Sequence, residues 1–258
     1  MDATDKRQEK RRKNWLNPLI ALIGVIVIYV LSQIIAVNVV GAVGIFLGYP
    51  ETEVNTWINS SEWAMFSVRL LVAVAVIWLS HVLLKWCNST WRSIGLTRPR
   101  LKHVGSAVIG YGWYMLLFIG TSIIVGQLVP SLDRDQQQQL GFDRMSMDTT
   151  LLLLSAVALV ILAPIYEEIL FRGVLFTGLR KKLPLITTGI IVSVIFGAAH
   201  LEWGGDSPLN WAAAIDTAVF SMVLVYLRET SKSLWPAIFL HGLKNAIAFT
   251  LVFVLKVT

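Results

Sequence analysis

Charged residues are scarce in this sequence. Only 15% of its 258 residues are Asp, Glu, Lys or Arg, whereas 55% are hydrophobic and the mean hydropathy is +0.67. Soluble domains carry about 25% charged residues, so this composition excludes an ordinary soluble domain and indicates a polytopic membrane protein. Cysteine is nearly absent as well. Cys87 is the only one, which excludes an internal disulfide and a cysteine-based zinc site.

Seven apolar runs are long enough, at about 17–25 residues, to cross a bilayer. They are residues 17–42, 63–84, 104–129, 150–171, 185–201, 209–227 and 234–255. The sequence therefore predicts an all-α fold, a polytopic transmembrane helical bundle. Gly41, Gly44 and Gly48 interrupt the outer half of the first run and leave room for an eighth, short segment.

The positive charges are segregated between these runs. The N-terminal tail carries six Lys or Arg, loop 85–103 five, segment 180–182 three and turn 228–233 two, whereas loops 43–62 and 202–208 carry none and loop 130–148 two. This alternation predicts that the N-terminus is cytoplasmic. Because the net charge of +6 is distributed in this way, with no nucleic-acid-binding motif beside it, nucleic acid is not expected as a partner.

Three charges lie in the stretch IYEEILFRG, residues 165–173, at the end of an apolar run. A charge at mid-bilayer costs about 2.5–3.5 kcal/mol on insertion scales, so such residues are rare and usually functional. Neighbours on an α-helix point about 100° apart, so Glu167 and Glu168 cannot both face one site. Glu168 and Arg172 have i,i+4 spacing with the acid first, which favours a supporting ion pair. Glu167 is left without a partner on its own helix and is a candidate general base.

Two of the four histidines, His200 and His241, also lie in apolar runs. His241 and Asn245 are one helical turn apart in HGLKN, so they share a helix face. Such a pair can present two hydrogen-bond donors to one oxygen, as an oxyanion hole requires. Alternatively, the histidine binds a metal and the asparagine orients it. Each group alone has an ordinary explanation as a hydrogen bond between helices, but their concentration in so apolar a chain favours one shared site.

Three other intramembrane charges, Arg69, Asp216 and Lys244, belong to no motif. We interpret Asp216 as a structural partner for one of the two cations.

Three motifs carry a family resemblance. EEILFR (167–172), FGAAH (196–200) and HGLKN (241–245) fit the patterns EExxxR, FxxxH and HxxxN. Their order and separation resemble the CAAX protease and bacteriocin-processing family of intramembrane proteases, also called the CPBP or Abi family. The resemblance covers about residues 150–255. We therefore expect a cytoplasmic basic tail, residues 1–14, and a single membrane domain, residues 15–258, with 150–255 as its catalytic core.

The resemblance implies a helical membrane endopeptidase whose site lies within the bilayer. Carried over to this sequence, Glu167 and His200 are expected to activate the attacking water. His241 and Asn245 are expected to stabilise the oxyanion of the tetrahedral intermediate.

The resemblance also implies that Glu168 and Arg172 support the catalytic groups. Family members are usually described as metalloproteases, although some resemble metal-free proteases that depend on a glutamate. If zinc is the cofactor, Glu167, His200 and His241 supply three ligands and leave one position open. In that case Glu167 cannot easily be the base as well, and Glu168 becomes the spare acid.

The simplest arrangement of seven spans separates two of these residues. It places Glu167 near the cytoplasmic end of the fourth run and His200 near the outer end of the fifth. They can meet if the fourth helix continues through the apolar VLFTGL to Leu179, or if the fifth helix begins deeper. We expect the first arrangement, with the fourth helix ending at Arg180. Pro164 is expected to distort this helix just before the acids, because proline lacks an N–H.

The leading functional hypothesis is an endopeptidase acting on a membrane-associated peptide or protein, such as a bacteriocin precursor, a signalling peptide or a prenylated tail. It is expected in the plasma membrane of a bacterial cell, with the lipid bilayer as its other partner. The alternative is a non-catalytic scaffold or regulator that retains the family fold. A secondary transporter is disfavoured, because transporters usually have repeat-related halves and no internal repeat is visible.

Overall fold

The computed structural model describes residues 15–133, 136, 149–201 and 208–256. All regular secondary structure in these ranges is helical, which confirms the predicted all-α bundle. The helices are α1 Pro18–Phe46, α2 Val54–Ser60, α3 Glu62–Trp86, α4 Leu101–Leu128, α5 Thr149–Arg180, α6 Leu185–Ala198, α7 Trp211–Ser231 and α8 Trp235–Val254, with a 3₁₀ turn at Glu51–Glu53. The predicted basic tail, residues 1–14, lies outside the described residues.

Six of these helices are long and apolar enough to cross a membrane: α1, α3, α4, α5, α7 and α8. The fifth predicted span is shorter than expected, because α6 has only 14 residues. At 1.5 Å per residue it is about 21 Å long, less than the hydrocarbon core of about 30 Å. Among the described residues, the count of seven full-length spans is therefore corrected to six, with one short apolar helix. The chain leaves the helix after Ala198, and a turn then carries His200.

The first apolar run forms one continuous helix, so the eighth segment considered within it is absent. Helix α1 passes through Gly41 and Gly44 without a break. These glycines serve packing instead. A Cβ at Gly44 would come within 2.8 Å of the Trp57 ring, and one at Gly41 within 3.3 Å of Val54. The missing side chains thus let the short helix α2 lie against the C-terminal end of α1.

Helix α5 continues to Arg180, as expected from the sequence, and is 32 residues long. It contains two π-helical segments, Val157–Leu162 and Ile169–Leu175, on either side of the two glutamates. Pro164 lies between them, so the distortion predicted at this proline takes the form of wide helical turns. π-Helical turns occur frequently at functional sites.

Within the described residues, Trp15 and the basic segments 85–103, 180–182 and 228–233 lie together at one end of the bundle. The Trp15 N–H donates to the Cys87 carbonyl at 2.9 Å, and the Leu234 N–H donates to the Gly95 carbonyl at 2.8 Å. Arg180 Nη2 is 3.0 Å from Glu229 Oε1. This grouping agrees with a common cytoplasmic face for these segments, and their orientation remains a prediction.

Helices α6 and α7 pack against each other in antiparallel directions. A Cβ at Gly189, in the first half of α6, would contact Val225, whereas one at Gly197, near its end, would come within 2.5 Å of the Ala214 carbonyl oxygen. The close approach at Gly197 fixes the end of α6 beside the start of α7. It therefore fixes the height of His200 in the bundle.

Candidate active site

The motif residues converge on one cavity of about 200 Å³ inside the bundle. Four of the residues that line it were predicted from the sequence: Glu167 from α5, His200 after α6, and His241 and Asn245 from α8. The extension of α5 brings Glu167 to the depth of His200. The predicted meeting of the three motifs is therefore found in the structure.

Glu168 and Arg172 form a fully buried ion pair. Arg172 Nη1 donates to Glu168 Oε1 at 2.9 Å, and both side chains are 0% exposed. The same carboxylate oxygen accepts a hydrogen bond from His241 Nδ1, also at 2.9 Å. The i,i+4 pair was predicted, but its contact with His241 was not, because sequence spacing does not reveal which helices are neighbours. Glu168 thus joins the first motif directly to the third.

Glu167 points to the other side of α5 and into the cavity. Its Oε2 atom is buried and makes no hydrogen bond within the described residues. His241 Nε2 lies 3.8 Å from this oxygen, and the Glu167 side chain is 16% exposed. A carboxylate oxygen in a polar cavity with this freedom can accept a proton from a bound water.

Both histidines are held through the same ring nitrogen. His200 Nδ1 lies 2.8 Å from the Phe196 carbonyl oxygen, and His241 Nδ1 lies 2.9 Å from the Glu168 carboxylate. A carbonyl and a carboxylate only accept hydrogen bonds, so each Nδ1 carries the proton. In the neutral ring Nε2 then has a lone pair, and it donates only as imidazolium. His241 can therefore act as the predicted oxyanion donor in its charged form alone.

Asn245 compensates for a defect in the backbone of α5. Its Nδ2 donates to the carbonyl oxygen of Leu159 at 2.9 Å. The Ala163 N–H bonds to the Ala158 carbonyl, five residues earlier, as π-helical spacing requires. In that register the partner of Leu159 is Pro164, which has no N–H to donate. One N–H of the amide thus fills the vacancy left by the proline, and its other N–H remains available for the predicted oxyanion role.

Phe196, the first residue of the second motif, packs against most of the site. Its ring centroid lies 4.3 Å from the Arg172 guanidinium carbon, 4.8 Å from the His200 ring and 5.9 Å from the His241 ring. The sequence predicted no separate role for this phenylalanine. Its motif position was the available signal, since an aromatic ring one helical turn before a buried histidine shares its face.

Two cations that belong to no motif, Arg69 of α3 and Lys244 of α8, also line the cavity. Asp216 was predicted to pair with one of them, and its Oδ2 lies 2.7 Å from Lys244 Nζ. The Tyr114 hydroxyl donates to Asp216 Oδ1 at 2.7 Å. Lys244 Nζ also lies 4.7 Å from the centroid of the Phe220 ring. This network ties α8 to α4 and α7.

The donor set suits zinc by residue type, since one carboxylate and two histidines can supply three ligands. Both histidines also have the Nδ1 partner that metal-bound histidines usually have. As placed, however, no group of three or more His, Cys, Asp or Glu side chains in the described ranges could hold a metal ion. The described residues in their present positions therefore do not fit a metal ion.

Comparisons with known proteins show which proteins this chain resembles. Residues 149–247 match the family model described as "Type II CAAX prenyl endopeptidase Rce1-like". The chain is also similar to the "Putative membrane peptidase YdiL" of Bacillus subtilis (strain 168), with 34% identity over 85 residues. This match covers 33% of the chain and 32% of the relative, about a third of each. No solved structure matches the chain.

Both descriptions are of peptidases, and the family segment contains all three motifs. The resemblance drawn from the motifs is thereby confirmed over residues 149–247. The chain is a multi-pass membrane protein with six helices of spanning length among its described residues.

Proposed function

We propose that this chain is an intramembrane endopeptidase that hydrolyses a peptide bond in a membrane-associated, prenylated or precursor peptide. The observation that carries the proposal is the convergence of Glu167, His200, His241 and Asn245 on one cavity of about 200 Å³. The similarity of residues 149–247 to a prenyl endopeptidase family supports it.

In the proposed mechanism Glu167 is the general base. Its Oε2 takes a proton from a water molecule that also donates to His200 Nε2, and the water oxygen attacks the carbonyl carbon of the scissile bond. The carbonyl π electrons move to oxygen and form a tetrahedral oxyanion. Collapse of this intermediate breaks the C–N bond, and the proton held by Glu167 passes to the leaving amine.

The oxyanion is stabilised by groups that the structure holds in place before reaction. The second N–H of Asn245 and the Nε2–H of charged His241 are the proposed donors. Glu168 keeps His241 in the orientation that points Nε2 toward Glu167. Arg172 neutralises Glu168, so the charge of that carboxylate is balanced within the apolar interior.

A metal-dependent form of the proposal uses the same residues. Glu167, His200 and His241 would have to move closer together than the structure places them to hold zinc, and the metal would then supply Lewis acidity at the scissile carbonyl and at water. Metal analysis of the purified protein, with cleavage measured before and after chelation, separates the two forms. Stoichiometric zinc with chelator-sensitive cleavage supports the metal form, and cleavage by metal-free protein supports the glutamate form.

The proposal is tested by assaying purified protein on a panel of prenylated and unmodified peptides. We expect Glu167→Ala and His200→Ala to abolish cleavage while the melting temperature stays near that of the unsubstituted protein. Ser193→Ala is the matched control, because Ser193 is a buried polar residue of α6 outside the cavity lining. Cleavage that survives both motif substitutions would refute the enzyme.

A non-catalytic scaffold or regulator that uses the polar cavity to bind a partner is the second candidate. A scaffold would have the same fold as the enzyme, but the cell would need only the presence of the protein and not its catalytic activity. Full complementation of a deletion strain by Glu167→Ala favours the scaffold, whereas failure to complement by a stably inserted Glu167→Ala protein favours the enzyme.

A further inference from the structure

A strongly basic groove of about 660 Å³ lies at the end of the bundle that carries the basic segments. Its walls come from two parts of the chain that are far apart in sequence, the α3–α4 connection and the α7–α8 turn. Five cationic side chains line it, and no acidic side chain does: Arg92, Arg98, Arg100, Lys102 and Lys232. His103 and the hydroxyls of serine and threonine residues contribute the remaining polar lining.

The two walls are locked together by hydrogen bonds. Thr97 Oγ1 lies 2.9 Å from Ser233 Oγ, and the Trp235 indole N–H donates to the Thr97 carbonyl at 2.6 Å. The Gly95 carbonyl accepts the Leu234 N–H at 2.8 Å. The groove is therefore a built feature of the fold, and its cations are held close together despite their mutual repulsion.

Charge balance in the groove is incomplete. Lys232 lies 3.1 Å from Glu229, but Arg92, Arg98, Arg100 and Lys102 are exposed and form no ion pair within the described ranges. Segment 180–182 has fewer such cations, because Arg180 is paired with Glu229 and only Lys181 and Lys182 lack an ion pair in the described part of the chain. A cytoplasmic bias of charge requires basic loops but does not require four unpaired cations to converge on one groove.

An apolar crevice of about 520 Å³ begins where the basic groove ends. It runs between α4 and α7, and Ser106 and Thr230 stand at its mouth. Ser106 is one helical turn beyond Lys102, and Thr230 is next to Ser231, so basic groove and crevice are contiguous. From Ser106 to Leu117 the crevice extends about 17 Å along α4 at 1.5 Å per residue, a length comparable to a fatty acyl chain.

We propose that the basic groove and the crevice together form a binding site for one anionic glycerophospholipid. The phosphate lies among Arg92, Arg98 and Arg100, and one acyl chain lies along Ile109, Trp113 and Leu117. Basic pockets between membrane helices on the cytoplasmic side are suited to anionic headgroups. A soluble phosphate would leave the crevice unused, and an acidic peptide would have to place polar backbone against it.

The site is connected mechanically to α8. Trp235 is the first residue of that helix, and its indole forms part of the lock between the groove walls. His241 follows six positions later, less than two helical turns away. A bound headgroup would brace the start of the helix that carries His241. We therefore expect the lipid to stabilise the fold whether or not the chain is a protease.

The test is native mass spectrometry and thermal unfolding of the detergent-purified full chain with phosphatidylglycerol or phosphatidylcholine. We expect phosphatidylglycerol to bind with one-to-one stoichiometry and to raise the melting temperature, and phosphatidylcholine to do neither. Arg98→Gln with Arg100→Gln should weaken phosphatidylglycerol binding about 25-fold, at about fivefold for each cation. Lys181→Gln with Lys182→Gln is the matched control, because it removes the same charge from the same end outside the groove and should leave binding unchanged.

Further variants and competing ligands in the same binding assay identify the chemical class of the ligand. Ser106→Trp, which fills the crevice mouth, should weaken the binding of phosphatidylglycerol. Inorganic phosphate and glycerol phosphate should fail to compete with the lipid. The proposal is overturned if the two double variants lose lipid equally, if a soluble phosphate or a polyglutamate peptide displaces the lipid at equal concentration, or if phosphatidylcholine binds as tightly. Lipid-free melting temperatures of all variants show whether each one is folded.

Discussion

At the scale of single residues, Glu168 connects the first motif to the third. One of its oxygens accepts hydrogen bonds from both Arg172 and His241, each at 2.9 Å. The ion pair follows from i,i+4 spacing, but the histidine contact depends on how α8 packs against α5. Sequence spacing within one helix therefore predicts the ion pair with Arg172 but not the hydrogen bond from His241.

Substitutions can separate the two roles of Glu168, which pairs with Arg172 and accepts a hydrogen bond from His241. Glu168→Leu leaves Arg172 buried without its partner, and we expect a loss of about 3–5 kcal/mol in the free energy of unfolding. Glu168→Leu with Arg172→Met should regain most of that stability, because an apolar pair can replace a buried ion pair. Cleavage should stay absent in both variants, since His241 Nδ1 has lost its acceptor.

Thermal unfolding in detergent and a cleavage assay measure the two effects side by side. Arg180→Met is the control, because its pair with Glu229 is partly exposed and should contribute less than about 1 kcal/mol. Recovery of cleavage in the double variant would show that Glu168 serves only to neutralise Arg172.

Asn245 and Pro164 form a second coupled pair. We expect Asn245→Ala to lower both stability and cleavage, because it leaves the Leu159 carbonyl without a donor. Pro164→Ala restores a backbone N–H near that carbonyl. If filling this vacancy is the main function of Asn245, Pro164→Ala should restore the stability of Asn245→Ala and leave kcat depressed only by the lost oxyanion donor.

A double-mutant cycle on melting temperature and kcat makes this measurement. Coupling of the two substitutions in melting temperature is the expected result. Strictly additive effects on stability would mean that the amide does not compensate for the proline.

At the scale of helices, the short α6 determines where His200 lies. The sequence predicted a full span over residues 185–201, because apolar composition does not reveal where a helix stops against its neighbour. The structure ends α6 at Ala198 and presses Gly197 against α7. Small residues before the histidine indicated close helix packing, but not the partner helix or the depth.

Gly197→Ala tests this contact. The added methyl group would lie 2.5 Å from the Ala214 carbonyl oxygen and 2.9 Å from Ala218 Cβ, so α6 must move away from α7. We expect a lower melting temperature and a large loss of cleavage, because His200 follows by three residues. Gly120→Ala is the control, since no atom lies within 4 Å of a Cβ placed there.

The control should hold or raise stability, because alanine favours a helix over glycine by about 1 kcal/mol. Equal effects of the two substitutions on cleavage would show that the α6–α7 contact does not position His200.

At the scale of the whole molecule, much of the architecture follows from composition. Long apolar runs separated by loops of alternating charge predict a helical membrane bundle, because a bilayer tolerates few other structures. The extension of α5 to Arg180 could also be predicted, from the apolar VLFTGL. The contacts of Arg69 and Lys244 with the cavity could not be predicted. Which side chains face the cavity depends on packing between helices that are distant in sequence.

The predicted orientation can be measured with the single native cysteine removed. In a Cys87→Ala background we expect Glu51→Cys to react with a membrane-impermeant maleimide in intact cells. Lys182→Cys should react only after lysis, because segment 180–182 is predicted to be cytoplasmic. Labelling of both positions, or the reverse pattern, in intact cells would contradict the orientation.

The central claim is that Glu167 acts as the base inside a cavity shared with two histidines. The most direct measurement is the single-turnover cleavage rate of purified Glu167→Gln, which keeps the size of the side chain and removes its basicity. The account predicts a fall of at least about 100-fold, the usual contribution of a general base, at an unchanged melting temperature. The exposed Glu51→Gln should cleave at the rate of the unsubstituted protein. A Glu167→Gln rate within about twofold of that value would contradict the account.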